Sequence, residues 1–308
     1  MSDDKRRNFE KSVRESVSKY SRTGGNLESA RAGGGPAIAP LDVARDRSVP
    51  AIERAAALHA IAPAQRNDAE FIQTLFGLAG DSSEPAELRS GVLRILRQLR
   101  FSSVRLNENR AKYIETLRPL VDEPDPTLRQ DALEMLAQEK DEYVQRRLLE
   151  SLSSGAPLAG SLEKTVQLLG YDIHAEHYPV LRRIATEAPG ADARREAVRL
   201  LASDPQSIGL LKKIFRDRNE DQQVRRASGN GYLSLDPQGF EQEAKAVVFD
   251  QGEDEDVRAA SLSALTHFAH PSVRDAELNE YVESMEKRPL SKPLEDAVKT
   301  YRRRPQKD

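Results

Sequence analysis

Apolar side chains recur along this chain with the period of an α-helix, in a nine-residue pattern that returns several times. Positions five, six, eight and nine of the pattern are mostly small or apolar, whereas positions three and seven vary freely. The apolar positions fall on one side of a helix, so each copy predicts a helix with one buried stripe. The second position is Arg in six copies: ERAAALHAI from Glu53, LRSGVLRIL from Leu88, LRQDALEML from Leu128, ARREAVRLL from Ala193, VRRASGNGY from Val224 and VRAASLSAL from Val257.

The spacing of the copies is nearly constant over much of the chain. Two further copies without the Arg, SLEKTVQLL and LSKPLEDAV, begin at residues 161 and 290. With them, neighbouring starts from 128 to 290 are 31 to 33 residues apart, while the two earlier starts are less regular. A constant interval of this length is the sequence signature of a repeat architecture.

A second helix fits between neighbouring copies. The breaks around it carry Pro, Gly or Asp, which stop and cap helices. One such helix and one copy of the pattern form a helical hairpin that buries its stripe only by stacking on its neighbours. We therefore predict an all-α fold, an α-solenoid of about seven to eight helical hairpins curved into a right-handed superhelix. The second set of helices is predicted at 68–80, 109–121, 142–152, 175–185, 206–217, 239–249 and 273–285.

Composition agrees with a helical body and removes several kinds of chemistry. Ala, Leu, Arg and Glu, which are good helix formers, dominate, and runs of alternating Val, Ile and Thr are missing. The chain has no Cys, which excludes disulfides, Cys-ligated zinc, iron–sulfur clusters and thiol nucleophiles. No apolar run resembles a signal peptide or a membrane span. We expect a soluble, cytoplasmic protein that does not bind membranes.

Charge and composition divide the chain into three predicted parts. Residues 1–40 form a flexible arm in which an amphipathic stretch, 8–21, precedes a Gly-rich linker, residues 41–300 form the repeat body, and residues 301–308 form a basic tail. Net charge is −3, but residues 1–40 carry eight Lys/Arg against five Asp/Glu and residues 285–308 carry eight against four, so the body is acidic. A nucleic-acid groove usually needs a positive surplus on the folded body, which argues against that partner.

The stretch 8–21 has its own apolar stripe. Phe9, Val13, Val17 and Tyr20 follow one another at spacings of four, four and three residues, as on one face of a helix. We interpret the stretch as a partly helical arm that docks on the first repeat. A partner-binding or membrane-surface helix is the alternative.

The repeats resemble HEAT repeats, in particular the short HEAT-like repeats of the phycobilisome-lyase type. The resemblance lies in an acidic turn followed by Val-Arg-x-x-small, as in DRNEDQQVRRAS and DQGEDEDVRAAS, and PDPTLRQDAL is a third case. It covers residues 50–300. A TPR array is excluded because the chain has no Trp, and the spacing is short for armadillo repeats.

The resemblance implies a structural role for the Arg at the second position. In such repeats this Arg commonly pairs with an Asp of the inter-helix turn, and the pairs form a ladder along the stack. The ladder is expected to break at Ser161 and in the last repeat, which lack the Arg. The expected ladder residues are Arg89, Arg129, Arg194, Arg225, Arg258, Asp122, Asp217 and Asp250, with Asp122 facing Arg129, Asp217 facing Arg225 and Asp250 facing Arg258.

The sequence predicts no catalytic, cofactor-binding or metal-binding residues. HAEH at 174–177 could present two imidazoles to one metal, but it lacks the H-E-x-x-H spacing, and we interpret it as solvated or capping. HFAH at 267–270 is followed by Pro271 and has the same interpretation. A HEAT-like di-iron hydroxylase needs His-Glu dipeptides, and this chain has none. HEAT-like DNA glycosylases usually hold a base against Trp or Tyr, and the lack of Trp argues against that activity.

Two glycines interrupt one copy of the pattern, in VRRASGNGYLSL. Gly229 and Gly231 fall on core-side positions of a predicted helix, so their amides are not free to hold a phosphate. We predict that they allow a neighbouring helix to approach closely, and that Gly231→Leu destabilises the protein.

The leading functional hypothesis is a non-enzymatic, monomeric scaffold that binds a protein or peptide on a concave face. A lyase-like enzyme or enzyme accessory subunit of the HEAT-like family is the alternative, and nucleic-acid binding through the basic tails is the second alternative. No cofactor is expected. The candidate partner-binding residues lie at outward third and seventh positions of the pattern, and they are Arg94, Glu134, Arg195, Arg199, Arg226 and Asn230.

Overall fold

The computed structural model describes Lys11, residues 39–268 and residues 275–303 of the chain. These residues form seventeen α-helices and three short 3-10 helices, without a strand among them, so the predicted all-α class is confirmed. The rest of the predicted arm helix, the Gly-rich linker, His270 and the tail from residue 304 lie outside the described residues. None of the described helices is long and apolar enough to cross a membrane.

The chain divides into two compact units. Unit 1 comprises the residues up to Leu148 together with Pro157–Gly160. A 3-10 helix at Arg118–Asp122 follows its sixth helix. The helices of unit 1 are α1 (Pro40–Arg45), α2 (Ala51–Gln65), α3 (Ala69–Gly80), α4 (Ala86–Leu99), α5 (Val104–Glu108), α6 (Arg110–Leu117) and α7 (Pro126–Gln138).

Unit 2 comprises Leu149–Ala156 and the residues from Ser161 onwards. The boundary falls within α8 (Glu142–Ser154), and short 3-10 helices precede α10 and α12. The further helices of unit 2 are α9 (Leu162–Leu169), α10 (Tyr178–Glu187), α11 (Ala191–Leu201), α12 (Ile208–Arg216), α13 (Gln222–Leu235), α14 (Pro237–Phe249), α15 (Glu255–Phe268), α16 (Ala276–Met285) and α17 (Lys292–Arg303).

Short polar side chains start the helices where the sequence pattern breaks. The Asp125 carboxylate accepts hydrogen bonds from the backbone N–H groups of Thr127 (2.9 Å) and Leu128 (3.0 Å) at the start of α7. Asp221 caps α13 and Ser161 caps α9 in the same manner. These bonds satisfy N–H groups that have no partner inside the helix. Helices therefore begin at the breaks that the sequence predicts.

The helices that carry the nine-residue pattern pack on one another within each unit. In unit 1, α2 packs on α4 and α4 packs on α7. In unit 2, α9, α11, α13, α15 and α17 pack in that order. The predicted core positions are buried, as Ala132, Leu133, Met135 and Leu136 of α7 show. The buried stripe read from the sequence is therefore confirmed.

Unit 1 departs from the predicted elements in three places. α1 precedes the first copy of the pattern, so the described chain contains eight successive helix pairs. The segment predicted at 109–121 is not one helix, because α6 ends at Leu117 and Pro119 has no backbone N–H to continue it. The short helix α5, capped by Ser103, was not predicted. The superhelical curvature of the array stays a prediction.

The two glycines of α13 are sites of close approach, as predicted. A Cβ atom at Gly231 would lie 3.2 Å from Leu211 Cδ1 and 3.3 Å from Ala202 Cβ. A Cβ atom at Gly229 would lie 3.0 Å from the Phe215 ring. The helix continues unbroken through both positions, so the missing side chains leave room for the neighbouring helices rather than forming a loop.

Candidate protein-interaction surfaces

Four of the six predicted partner-binding residues lie on neighbouring helices of unit 2. Arg195 and Arg199 belong to α11, Arg226 and Asn230 belong to α13, and these two helices pack directly. Arg199, Arg226 and Asn230 are exposed, and Arg195 is half-buried. We call these four side chains on two packed helices the mixed-charge face, and their role in partner binding stays a prediction.

Acidic side chains neutralise part of this face. The Arg195 guanidinium lies 2.9 Å from the Asp192 carboxylate, and the Arg199 guanidinium lies 2.7 Å from Oε2 of the buried Glu196. Arg226 makes no ion pair within the described part of the chain. The face is consequently of mixed charge, which does not make it a basic groove.

The other two predicted residues belong to unit 1 and form a separate row. Arg94 lies on α4 and Glu134 on α7, each at the seventh position of the pattern, and both are half-buried. His59 occupies the same position on α2 and is also half-buried. The six predicted residues therefore belong to two faces, one in each compact unit.

Among the described residues the predicted Arg–Asp pairs do not form, and several of the arginines bind a glutamate instead. Arg225 donates hydrogen bonds to both oxygens of Glu253, at 2.8 and 2.7 Å, and its Nε donates to the Phe215 carbonyl at 3.1 Å. Arg54 makes the same fork with Glu84, at 2.6 and 3.0 Å, and its Nε donates to a carbonyl of α1 at 2.8 Å. Each Arg therefore joins the end of the helix that precedes its own to the turn of the following repeat.

The other ladder arginines follow this arrangement with local variations. Two of them bind a Glu of the following turn, one binds a hydroxyl and one binds a carbonyl. The contacts are Arg89 to the Glu123 carboxylate (2.6 Å), Arg194 to the Glu220 carboxylate (2.7 Å), Arg258 to the Tyr281 hydroxyl (3.1 Å) and Arg129 to the Glu123 carbonyl (2.7 Å).

These contacts correct the predicted pairs of Asp122 with Arg129, Asp217 with Arg225 and Asp250 with Arg258. The Asp217 and Asp250 side chains each accept a backbone N–H of their own turn, while the Glu three residues after each is long enough to reach the Arg of the preceding repeat. The predicted aspartates have other contacts: Asp217 accepts a hydrogen bond from the Asn219 N–H (2.9 Å), Asp250 accepts one from the Gly252 N–H (3.0 Å) and pairs with Arg218, and Asp122 pairs with Arg147 (2.8 Å).

A sequence signal for the true partners was present. Glu84, Glu220 and Glu253 each stand five residues before the next ladder Arg. Hydrogen bonds from Arg54, aided by its charge, hold the pKa of Glu84 below its usual range. Burial alone would raise the pKa of Glu253, but hydrogen bonds from Arg225 and from a backbone N–H lower it on balance. Both carboxylates are thus charged partners at neutral pH.

The histidines of HAEH close a helix start. His177 Nδ1 accepts a hydrogen bond from the His174 backbone N–H at 3.1 Å, and the His174 ring lies 3.1 Å from Asp172. Burial and then the neighbouring His174 lower the pKa of His177. The capping interpretation is therefore confirmed. Within the described ranges no group of three or more His, Asp or Glu side chains is placed to hold a metal ion.

The turn between α4 and α5 carries an apolar surface that sequence reasoning missed. Phe101 is 86% exposed and Val104 is 64% exposed. They are two of the three exposed large apolar side chains found among the described residues, and Tyr171 is the third. The signal in the sequence was FSSV, an aromatic residue in a serine-rich break where no core position is predicted. We call Phe101 and Val104 the Phe101 turn.

Hydrogen bonds hold the Phe101 turn in place. The buried Ser103 hydroxyl donates to the Arg66 carbonyl and accepts from the Leu106 N–H at 3.0 Å. The Asn67 side-chain oxygen accepts from the Val104 N–H at 3.0 Å. The turn is thus bound to the loop between α2 and α3, and Phe101 is presented to solvent by fixed backbone.

Comparison with solved structures finds matching chains, one of which is described here. No protein-family model and no curated protein match the chain. The chain is similar to the complex of CpcE and CpcF of phycocyanin lyase from Nostoc sp. PCC7120, with 19% sequence identity, a TM-score of 0.37 and coverage of 85% of this chain and 98% of that chain. The leading hypothesis of a non-enzymatic scaffold is withdrawn, and the matched protein is described in that structure as a phycocyanin lyase. At the level of fold, the described residues form an all-helical array of repeated helix pairs, as the sequence pattern predicts.

Proposed function

We propose that the chain is an accessory subunit of an enzyme, and that it binds a protein partner through the Phe101 turn. The observation that carries the binding half is the 86% exposure of Phe101 on a hydrogen-bonded turn. Covering a Phe side chain is worth about 2 to 3 kcal/mol. An aromatic side chain has only two rotatable side-chain bonds, so it loses little entropy on binding, and aromatic residues are enriched at the centres of protein interfaces.

The surroundings of the turn support a protein partner over a small molecule. Phe101 and Val104 project from the surface, and small molecules bind in concave pockets. Arg66 and Arg105 lie near the turn and are exposed, so the rim is polar. An apolar centre with a polar rim is the usual composition of a protein interface.

The proposed accessory role follows the alternative hypothesis of the sequence analysis, a lyase-like enzyme or an enzyme accessory subunit. An accessory subunit needs a surface that holds the catalytic or substrate protein, and it does not need a reactive set of side chains of its own. The mixed-charge face formed by Arg195, Arg199, Arg226 and Asn230 is proposed as a second, separate protein contact.

The test is affinity capture from the source cells with wild-type chain, Phe101→Ser and Tyr171→Ser, followed by purification of the captured protein. We expect Phe101→Ser to raise the dissociation constant at least tenfold, which corresponds to a loss of about 1.4 kcal/mol of binding free energy. Tyr171→Ser, the exposed aromatic of unit 2, is the matched control and should bind like wild type.

Two outcomes separate the halves of the proposal. Unchanged affinity of Phe101→Ser by calorimetry would remove the Phe101 turn from the interface. An isolated partner whose reaction rate is the same with and without the chain would remove the accessory role. Charge reversal at Arg199 and Arg226 tests the second contact in the same assay.

A further inference from the structure

The stretch of chain that carries the Phe101 turn is strongly basic, although the body around it is acidic. Residues 97–112 contain five Lys/Arg and a single acidic residue, Glu108. Arg66 lies in the loop that is hydrogen-bonded to the turn, so it adds a further cation from another part of the chain. Positive charge is thus concentrated around two exposed apolar side chains.

The acidic side chains near the turn do not cancel this charge. Arg100 and Arg110 both donate hydrogen bonds to the buried Glu139 carboxylate, the second at 2.8 Å, so one negative charge faces two positive ones. Burial alone would raise the pKa of Glu139, but hydrogen bonds from the two arginines lower it on balance. The Asp68 carboxylate caps α3, where it accepts a hydrogen bond from the Phe71 N–H at 2.8 Å. A surplus of positive charge therefore remains beside the turn.

Two arginines of this rim are available to a partner. The Arg66 side chain is exposed and makes no ion pair within the described part of the chain. Arg105 lies 3.3 Å from Glu108, but the two side chains are 47% and 57% exposed, so water and salt screen this pair. A carboxylate of a partner can therefore pair with either guanidinium without first breaking a strong contact.

The backbone fixes where these two arginines stand. The Arg66 carbonyl accepts a hydrogen bond from the Ser103 hydroxyl. The Asn67 side-chain oxygen accepts one from the Val104 N–H, directly before Arg105, at 3.0 Å. Neither guanidinium takes part in these two bonds. A substitution of either Arg side chain therefore changes the charge of the rim and leaves the bonds that hold the turn.

We infer, on the basis of the proposed function, that the Phe101 turn binds an acidic protein segment. An apolar side chain of that segment covers Phe101 and Val104, and neighbouring carboxylates pair with Arg66 and Arg105. A guanidinium presents a fork of N–H donors that matches the two oxygens of a carboxylate. The apolar centre supplies most of the affinity, while the charged rim speeds association and rejects basic partners.

The same surface does not suit a nucleic acid. Single strands bind along a groove of cations, with successive bases stacked on several aromatic side chains. Phe101 is accompanied by the aliphatic Val104, whereas Tyr171, the other exposed large aromatic side chain among the described residues, belongs to unit 2. The acidic body also repels a long polyanion, while a short acidic segment meets only the basic part of the surface.

A phage-displayed library of random peptides tests the inference with the full chain. The library is selected on the wild-type chain, and peptides that also bind Phe101→Ser are removed. We expect the remaining peptides to carry more Asp and Glu than the unselected library, next to an aromatic or aliphatic residue. Remaining peptides without an acidic excess overturn the inference and leave the Phe101 turn as a binding surface. If no peptide depends on Phe101, the proposed binding surface fails together with the inference.

The most enriched acidic peptide, synthesised with a fluorescent label, separates the charged rim from the apolar centre. We expect Arg66→Glu with Arg105→Glu to raise its dissociation constant at least tenfold, because two attractions become repulsions. Lys213→Glu with Arg303→Glu is the matched control, since both residues are exposed in unit 2 and the change in net charge is the same. The control should bind like wild type. Equal losses in the two variants, or an unchanged affinity in the first, contradict a basic rim.

A labelled oligodeoxythymidine in the same assay tests the nucleic-acid alternative. We expect it to bind the wild-type chain more weakly than the acidic peptide does at the same salt concentration. Tighter binding of the oligonucleotide that is lost in Arg66→Glu with Arg105→Glu would overturn the inference and make the rim a nucleic-acid contact.

Discussion

Units 1 and 2 share one device for joining repeats and differ in what they show to solvent. The fork from Arg54 to Glu84 in unit 1 and the fork from Arg225 to Glu253 in unit 2 have the same atoms in the same roles. All four side chains are at most 5% exposed. The seventh positions of the pattern are half-buried in unit 1, whereas in unit 2 they include the exposed Arg199 and Asn230 beside the half-buried Gln167 and Ser263. The Phe101 turn belongs to unit 1.

The comparison separates the residues that build the repeat from those that distinguish one repeat from another. The Arg, the Glu five residues before the next Arg and the apolar stripe are interchangeable between units. The seventh position and the turn residues differ from repeat to repeat, and these are the positions proposed to contact a partner. Four predictions test this separation, in order of decreasing expected effect.

Breaking the fork should harm both units alike. Glu253→Ala leaves the Arg225 guanidinium buried without its partner, and we expect the free energy of unfolding to fall by about 3 to 5 kcal/mol. Glu84→Ala should cost a similar amount. Asp250→Ala, which removes an exposed partner of Arg218, should cost less than about 1 kcal/mol. Urea unfolding followed by circular dichroism measures all three, and equal losses for Glu253→Ala and Asp250→Ala would contradict a buried ladder.

The His59 side chain of α2 should make the stability of the protein depend on pH. The pKa of His59 is about 4 in the folded chain and about 6.5 when unfolded, so the unfolded chain binds more protons between these values. Stability should therefore decrease as pH falls from 6.5 to 4, by up to about 3 kcal/mol for this group. His59→Gln should reduce that decrease when unfolding is compared at pH 7 and pH 4.5. An unchanged pH dependence in His59→Gln would place the titrating group elsewhere.

The close approach in α13 is specific to unit 2 and can be broken by volume. Gly231→Leu pushes a side chain into Leu211 and Ala202, and we expect a loss of about 1 to 3 kcal/mol from overpacking. Gly209→Leu is the matched control, because a Cβ atom at Gly209 meets nothing within 4 Å. The control should be neutral or stabilising, since Leu favours helix more than Gly does. A higher melting temperature for Gly231→Leu would refute the packing role.

The smallest effect compares two helix caps. Ser103→Ala removes the cap of α5 and the hydrogen bond to the Arg66 carbonyl, and we expect a loss of about 1 to 2 kcal/mol. Ser161→Ala removes only the cap to the Lys164 N–H, so it should cost about 1 kcal/mol or less. Thermal unfolding measures the difference. Equal losses would show that the Arg66 bond does not hold the Phe101 turn.

Much of the fold was predictable because it depends on local order. The nine-residue pattern places every second helix, since the apolar positions and the breaks act within a few residues of one another. The second set of helices, between the copies of the pattern, was predicted well except at 109–121, where Pro119 converts the end of the segment to a 3-10 helix. The acidic partners of the ladder arginines were not predicted correctly. Each partner belongs to the turn of the following repeat, and whether Asp or Glu can bridge that distance depends on the tertiary structure.

The sequence by itself determined the helical class, the register of the buried stripe and the role of Gly229 and Gly231, because each follows from helical periodicity and side-chain volume. Only the tertiary structure decided which carboxylate binds each ladder Arg, and that His59 is shielded while Arg199 is open. It also decided that Phe101 stands out from the surface, because that depends on hydrogen bonds between two turns 37 residues apart. Contacts between distant turns are invisible to a periodic pattern, and they set the surface available to a partner.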